Sequence, residues 1–284
     1  MKPSGRRLRS LLLVVGLSMF ALTGCNSAKY MPVLSPQGPV ARSEYYLIIW
    51  SFALMLVVVL GVFVIYFYML VKYRARPENK DYVPPEIEGN SRWETIWTLI
   101  PVIIVIALAI PTVAVTYKLV KPPKADAATG STATAGASSN PIVIDVISER
   151  WKWVFKYPAQ GIETVNYVNI PAGQPVDFEL TSDGPMNTFW VPALGGMEFN
   201  MPGHDLKLWL EADHAGTYQG RSAQYSGRGF AAMTFDVNAQ SPAAFTKWVQ
   251  TIKQTKPPLT KQADKQLSTP GNVGKMAFST AEPQ

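Results

Sequence analysis

The sequence predicts a membrane α-helical hairpin of two transmembrane helices followed by an all-β extracytoplasmic domain, a sandwich or Greek-key barrel. Two observations carry this. The first half holds two long runs without a charged residue, 45–71 and 95–117. The second half changes to short β-branched and aromatic segments separated by Pro/Gly turns, the pattern of a small all-β domain. The composition agrees: 48% of the 284 residues are hydrophobic and only 16% charged, a low charge share for a soluble domain.

The chain opens with basic residues (Lys2, Arg6, Arg7, Arg9), an apolar stretch from Leu11 to Leu22, and then Leu22-Thr23-Gly24-Cys25. A basic start, a short apolar run and small residues before a cleavage point form a secretory signal. The Leu-Thr-Gly-Cys ending resembles a bacterial lipoprotein box, so residues 1–24 are expected to be removed and Cys25 lipidated. The alternative is an uncleaved helix with an inert thiol. Cys25 is the single cysteine, which excludes an internal disulfide and any Cys-pair metal site. Residues 25–43, with Pro32, Pro36, Gly38 and Pro39, read as an irregular linker.

The first transmembrane helix is placed at 44–71. Its charge-free run of 27 residues spans roughly 40 Å, against about 30 Å of hydrocarbon. Trp50, Tyr66, Tyr68 and Tyr73 lie toward its ends, as interfacial aromatics do. Residues 72–93 form a loop with five Lys/Arg, favouring the cytoplasmic side. The second helix is placed at 94–118, bent by Pro101 and Pro111; membrane helices tolerate such prolines when neighbours satisfy the freed carbonyls. With Cys25 outside, the first span enters, the second returns, and the C-terminal domain is extracytoplasmic.

Residues 119–139, rich in Ala, Thr, Ser and Gly, read as a tether. Within the β-domain, 140–238, strands are expected at 141–148, 151–157, 164–170, 175–180, 206–210 and 231–237. The remainder, 239–284, contains an amphipathic helix from Pro242 to Ile252, with Phe245, Trp248, Val249 and Ile252 on one side. The polar tail from Lys253 onward reads as mobile. Residues 1–139 hold 14 Lys+Arg against 7 Asp+Glu, and residues 140–284 hold 12 against 13. The basic excess belongs to the membrane half, so it marks topology and excludes a nucleic-acid footprint as its explanation.

No nucleophile–base arrangement, phosphate loop or carboxylate pair is visible. His204 and His214 sit in separate turns, where solvated surface is the ordinary role of a histidine. Three segments stand out instead: Trp151-Lys152-Trp153-Val154-Phe155-Lys156-Tyr157-Pro158, Val191-Pro192-Ala193-Leu194-Gly195, and the stretch from Gly220 to Met233. Together with the hairpin they resemble subunit II of cytochrome c oxidase, and specifically the branch belonging to haem–copper quinol oxidases. The resemblance implies a cupredoxin-like Greek-key barrel. It also implies that the copper ligands are gone. Ser222, Gln224, Ser226 and Phe230 stand where the copper loop carries Cys, Glu, Cys and His; Asn187 stands at the earlier His; Met233 alone is retained. A binuclear copper centre needs soft thiolates and imidazoles, so the resemblance implies no metal on this chain. The aromatic stretch, which lies by the electron relay in copper-bearing members, then caps the core or docks on a neighbouring subunit.

The implied activity is that of a complex oxidising quinol, reducing oxygen to water and pumping protons. Haems and copper would reside in subunit I, with subunits III and IV and membrane lipid as further partners. Glu94, at the cytoplasmic start of the second span, has two readings. One is a helix N-terminal carboxylate favoured by the dipole. The other, implied by the resemblance, is a proton uptake group at the mouth of a channel into subunit I. Two rival functions are a copper-bearing cytochrome c oxidase subunit, opposed by the missing ligands and the near-neutral outer domain, and a lipid-anchored cupredoxin-like binding or assembly module outside any oxidase.

Overall fold

The computed structural model describes residues 31–74, 89–120, 122 and 141–282. The expected signal peptide and lipidated Cys25, most of the cytoplasmic loop and most of the tether lie outside the described residues.

Two long helices come first, α1 (Pro39–Lys72) and α2 (Ser91–Leu119). Both are long and apolar enough to cross a membrane. Each begins before the charge-free run that located it. Gly38 is extended ahead of Pro39, a favourable first helical residue. The Asn90 side chain accepts from the Arg92 N–H at the start of α2. Charged residues such as Arg42 and Glu44 limit a membrane span but not a helix, so α1 reaches into the expected linker. Ahead of it, Pro32–Leu34 form a single 3₁₀ turn.

The hairpin is joined across its prolines. Pro111 has no N–H, so the carbonyl four residues earlier, Ala107, loses its helical partner. The indole N–H of Trp50 on α1 donates to that carbonyl at 3.3 Å. Trp50 therefore closes the hairpin instead of only marking a membrane interface.

The β-domain contains two sheets. The first has the order β11-β3-β2-β1-β5-β8 and the second β4-β10-β9-β6-β7. Their strands are β1 (Ile142–Glu149), β2 (Lys152–Tyr157), β3 (Ile162–Val165), β4 (Tyr167–Pro171), β5 (Val176–Ser182), β6 (Asn187–Val191), β7 (Gly195–Asn200), β8 (Leu206–Leu210), β9 (Gly216–Ser222), β10 (Thr234–Gln240) and β11 (Met276–Phe278). β1–β5 and β4–β10 pair in parallel and the other pairs are antiparallel. Between the sheets lies an aromatic core. Phe189 stacks on Phe235 with centroids 4.9 Å apart, and Trp153, Phe155 and Phe178 surround the pair.

The single strand expected at 164–170 is two strands in different sheets. Asn166 between them adopts φ of 58°, a left-handed conformation that Asn tolerates. Its side chain accepts from the Trp153 N–H and donates to the Val273 carbonyl. β7 and β9 are rich in Gly and polar residues and give little strand signal, yet with the Thr-Phe-Trp-Val of β6 they build most of the second sheet.

After β10, α3 (Pro242–Thr255) is capped by Ser241 and buries Phe245, Val249 and Ile252. The tail beyond it corrects the expectation of mobile chain. Helix α4 (Lys261–Ser268) covers the far side of the first sheet and β11 extends that sheet's edge beside β3, so that Leu259, Leu267 and Phe278 are buried with Val154 and Val165. A few well-spaced apolar residues suffice to dock a segment whose average composition is polar.

Candidate functional site

The six positions singled out around the loop are partly gathered and mostly engaged in protein contacts, although the Ser226 hydroxyl is buried without a hydrogen-bond partner. β6 begins at Asn187, and β9 ends at Ser222 beside it. Both side chains are buried. The Ser222 hydroxyl lies 3.2 Å from Asn187 Oδ1 and 3.1 Å from the Gln224 carbonyl, sharing its one proton between them. Asn187 Nδ2 donates to the Pro185 carbonyl. Gln224 thus contributes a backbone acceptor. The Phe230 ring packs edge-on against Tyr225, centroids 5.7 Å apart. Met233 is a core residue, and its carbonyl accepts from the Ser222 N–H and the Trp153 indole.

Trp151 holds the rest of the loop, a role invisible in sequence. With φ of 72° it is strained for a bulky side chain. Its indole donates to the Ser226 carbonyl at 2.9 Å, and its ring fills the space above Gly229, where a Cβ would come within 2.3 Å. The aromatic stretch therefore has two jobs. Trp153, Phe155 and Tyr157 face the core, while Trp151 pins the loop.

The donor set does not fit a binuclear copper centre. It offers amides, hydroxyls, a phenyl ring and one thioether, with no thiolate or imidazole. The Asn187–Ser222 contact is a neutral hydrogen bond. His204 and His214 lie in separate exposed turns, and the His214 carbonyl accepts from Tyr218. Among the described residues no three His, Cys, Asp or Glu group as metal ligands.

The Val191–Gly195 segment is the socket for the first helix. The Ala193 and Leu194 carbonyls accept from the N–H groups of Gln37 and Ala41. Glu44 accepts from the Gly196 N–H at 3.0 Å. Gly195, at φ of 89°, touches the helix so closely that a Cβ would lie 2.5 Å from the Ala41 nitrogen. Gly38 similarly faces the Glu211 carbonyl, 2.1 Å from where its Cβ would stand. Arg42 pairs with Asp213, and Val40 enters the β-domain core. On the other helix, the Trp209 indole donates to the Leu119 carbonyl at 2.8 Å. Both helices are therefore tied to the β-domain at the same end of the hairpin.

Glu94 occupies the first turn of α2, where an anionic side chain meets the positive end of the helix dipole. It is exposed, so nothing among the described residues buries it.

Comparison with known proteins gives consistent results. The family described as cytochrome c oxidase subunit II, transmembrane domain, matches residues 39–115. Quinol oxidase subunit 2 of Bacillus anthracis is 49% identical over 269 residues, covering 95% of this chain and 88% of that protein. Quinol oxidase subunit 2 of Bacillus subtilis is 42% identical over 278 residues, covering 97% and 82%. Among solved structures, the periplasmic domain of subunit II of cytochrome oxidase from Bradyrhizobium japonicum aligns over 40% of this chain and 94% of its own, at 22% identity and a TM-score of 0.39.

Proposed function

Because this chain belongs to the quinol oxidase subunit 2 family, we propose that, within its respiratory quinol oxidase complex, it serves as a structural subunit without an electron relay of its own. It is a membrane protein with an extracytoplasmic domain. The observation that carries the proposal is the Ser222–Asn187 hydrogen bond in a loop with no thiolate or imidazole. Electrons cannot pass through a copper pair on such residues, so quinol must deliver them to cofactors on another chain.

In this reading subunit I holds the haems and copper and completes the chemistry of quinol oxidation, oxygen reduction and proton pumping. Subunits III and IV pack alongside. The hairpin grips the partner within the bilayer, and the socket at Val191–Gly195 fixes the domain above it. Cys25 carries the lipid anchor. Glu94 gathers protons at the cytoplasmic side; its exposure on the isolated chain suits a carboxylate that a partner subunit covers.

The test is oxygen uptake by the purified complex with reduced quinol and, separately, with reduced cytochrome c. Uptake with quinol alone is expected; efficient uptake with cytochrome c would overturn the loss of the relay. For Glu94, the Glu94→Gln complex is expected to assemble normally, turn over more slowly and pump fewer protons per oxygen. Unchanged turnover and pumping would leave Glu94 as a helix-end carboxylate.

A further inference from the structure

The outer face of the first sheet, opposite the aromatic core, carries Asp145, Ile147 and Glu149 on β1, Lys152, Val154 and Lys156 on β2, and Glu163 and Val165 on β3. Charge alternating with aliphatic side chains is how a strand face reads when it meets water. Here residues 257–282 lie over it. Lys152 is 0% exposed, Glu163 1% and Glu149 6%. The cover is fastened by charge at two points: Lys152 Nζ donates to the carbonyls of Leu267 and Thr269, each at 2.7 Å, and Lys275 pairs with Asp236 of β10. The two carbonyls lie at the C-terminal end of α4, where a cation is favoured. At its margin, β11 pairs with β3, placing Phe278 opposite Glu163.

Glu163 is the weak point. Both carboxylate oxygens are buried without a hydrogen-bond partner. The charged groups around it are Lys156 from β2, Glu149 from β1 and Asp264 from α4. β11 brings only Met276, Ala277 and Phe278, and α3 turns Phe245, Val249 and Ile252 inward. Lys156 Nζ is 4.0 Å from the carboxylate. An ionised carboxylate placed here has left water without gaining donors, whereas its protonated form is tolerated.

We propose that residues 257–282 form a pH-responsive flap over this face, latched by Lys152 on the end of α4 and loosened when Glu163 ionises. Burial raises the Glu163 carboxyl from 4.5 to about 7; Lys156 opposes the rise, and the carboxylates of Asp264 and Glu149 add to it. The closed flap therefore keeps a proton that the open form releases across that interval. The Glu163 contribution to closure is full below about pH 4.5, is lost as pH rises toward about 7, and is level above it. Burial moves Glu149 in the same direction, while Lys152, lowered by burial, acts with the opposite sign. Opening exposes the charged side chains of Glu149, Lys152 and Glu163 and frees the hydrogen-bonding edge of β3, a surface able to accept another strand. This inference concerns the β-domain alone and holds whatever becomes of the electron route.

Hydrogen exchange followed by mass spectrometry on the intact complex tests it, with rates corrected for intrinsic exchange. Between about pH 5 and about pH 8, opening of peptides within 257–282 is expected to rise at least tenfold. The ceiling in that interval is roughly 70-fold, because a carboxyl moving from 4.5 to about 7 has already released part of its effect by pH 5. Glu163→Gln is expected to cut the change below about threefold, and Glu163→Val carries the same test should that variant fail to assemble. A wild-type change below threefold, or a variant that keeps the wild-type change, overturns the proposal.

Discussion

The hairpin and the β-domain handle their apolar residues in opposite ways. In α1 only Val40 and Ala41 are buried, and α2 buries none; Phe52, Val64, Ile103 and Ile110 point outward. In the β-domain Phe155, Phe178, Phe189 and Leu194 are completely enclosed. The domain satisfies itself, whereas the hairpin is completed by lipid and partner chains. A lesion in the domain should therefore cost folding, and a lesion in the hairpin should cost assembly.

The strongest challenge to that division is Phe189→Ala, which empties the centre of the aromatic core. It is expected to cost about 3–5 kcal/mol of domain stability, read by denaturant unfolding while the helices remain membrane-bound. A loss below about 1 kcal/mol would mean that the domain leans on its partners as the hairpin does.

Gly195→Ala probes the join between the regions. A side chain in the left-handed region costs about 1–2 kcal/mol, and here it also meets the Ala41 backbone. The domain is expected to stay folded while α1 separates from its socket, seen as faster proteolysis around residues 37–44 and reduced recovery of complex. Normal recovery would show that the socket does not govern assembly.

Ser222→Ala removes the hydroxyl facing Asn187 and leaves a buried amide oxygen without that donor, costing about 1–3 kcal/mol. Thermal unfolding of the domain measures it. An unchanged or raised midpoint would indicate that the loop does not need the hydrogen bond between Ser222 and Asn187. Smallest is Trp50→Phe, which deprives the Ala107 carbonyl of its donor. Hydrogen bonds of this kind between membrane helices average about 0.6 kcal/mol, so a modest fall in detergent stability is expected, with assembly and turnover preserved.

Much of the architecture was legible because it rests on local pattern. Length without charge located both spans, and Pro111 announced a carbonyl that would need a partner. That the partner is Trp50 was not legible, since 57 residues separate donor from acceptor. Val191–Gly195 could be noticed as a motif, but its purpose appeared only with Ala41 lying on Gly195. β7 and β9 escaped notice because their residues are held by neighbouring strands and lack the β-branched alternation that reveals a strand alone, whereas the Thr-Phe-Trp-Val of β6 carried a strand signal that was legible and passed over. The tail was misjudged for a related reason: Leu259, Leu267 and Phe278 are too sparse to mark a core until they meet Val154 and Val165.

The sequence by itself determined that this chain spans a membrane twice, carries a β-rich domain and lacks the thiolates and imidazoles of a copper pair, because hydropathy and ligand chemistry are properties of residues wherever they fold. Only the tertiary structure decided how the loop from Gly220 to Met233 is held by Asn187, Ser222 and Trp151, how both helices fasten to the domain, and that Lys152 and Glu163 lie under the C-terminal segment. Those outcomes depend on close approach between residues distant in the chain, and burial gives a charged side chain a different energy from the one its strand pattern suggests.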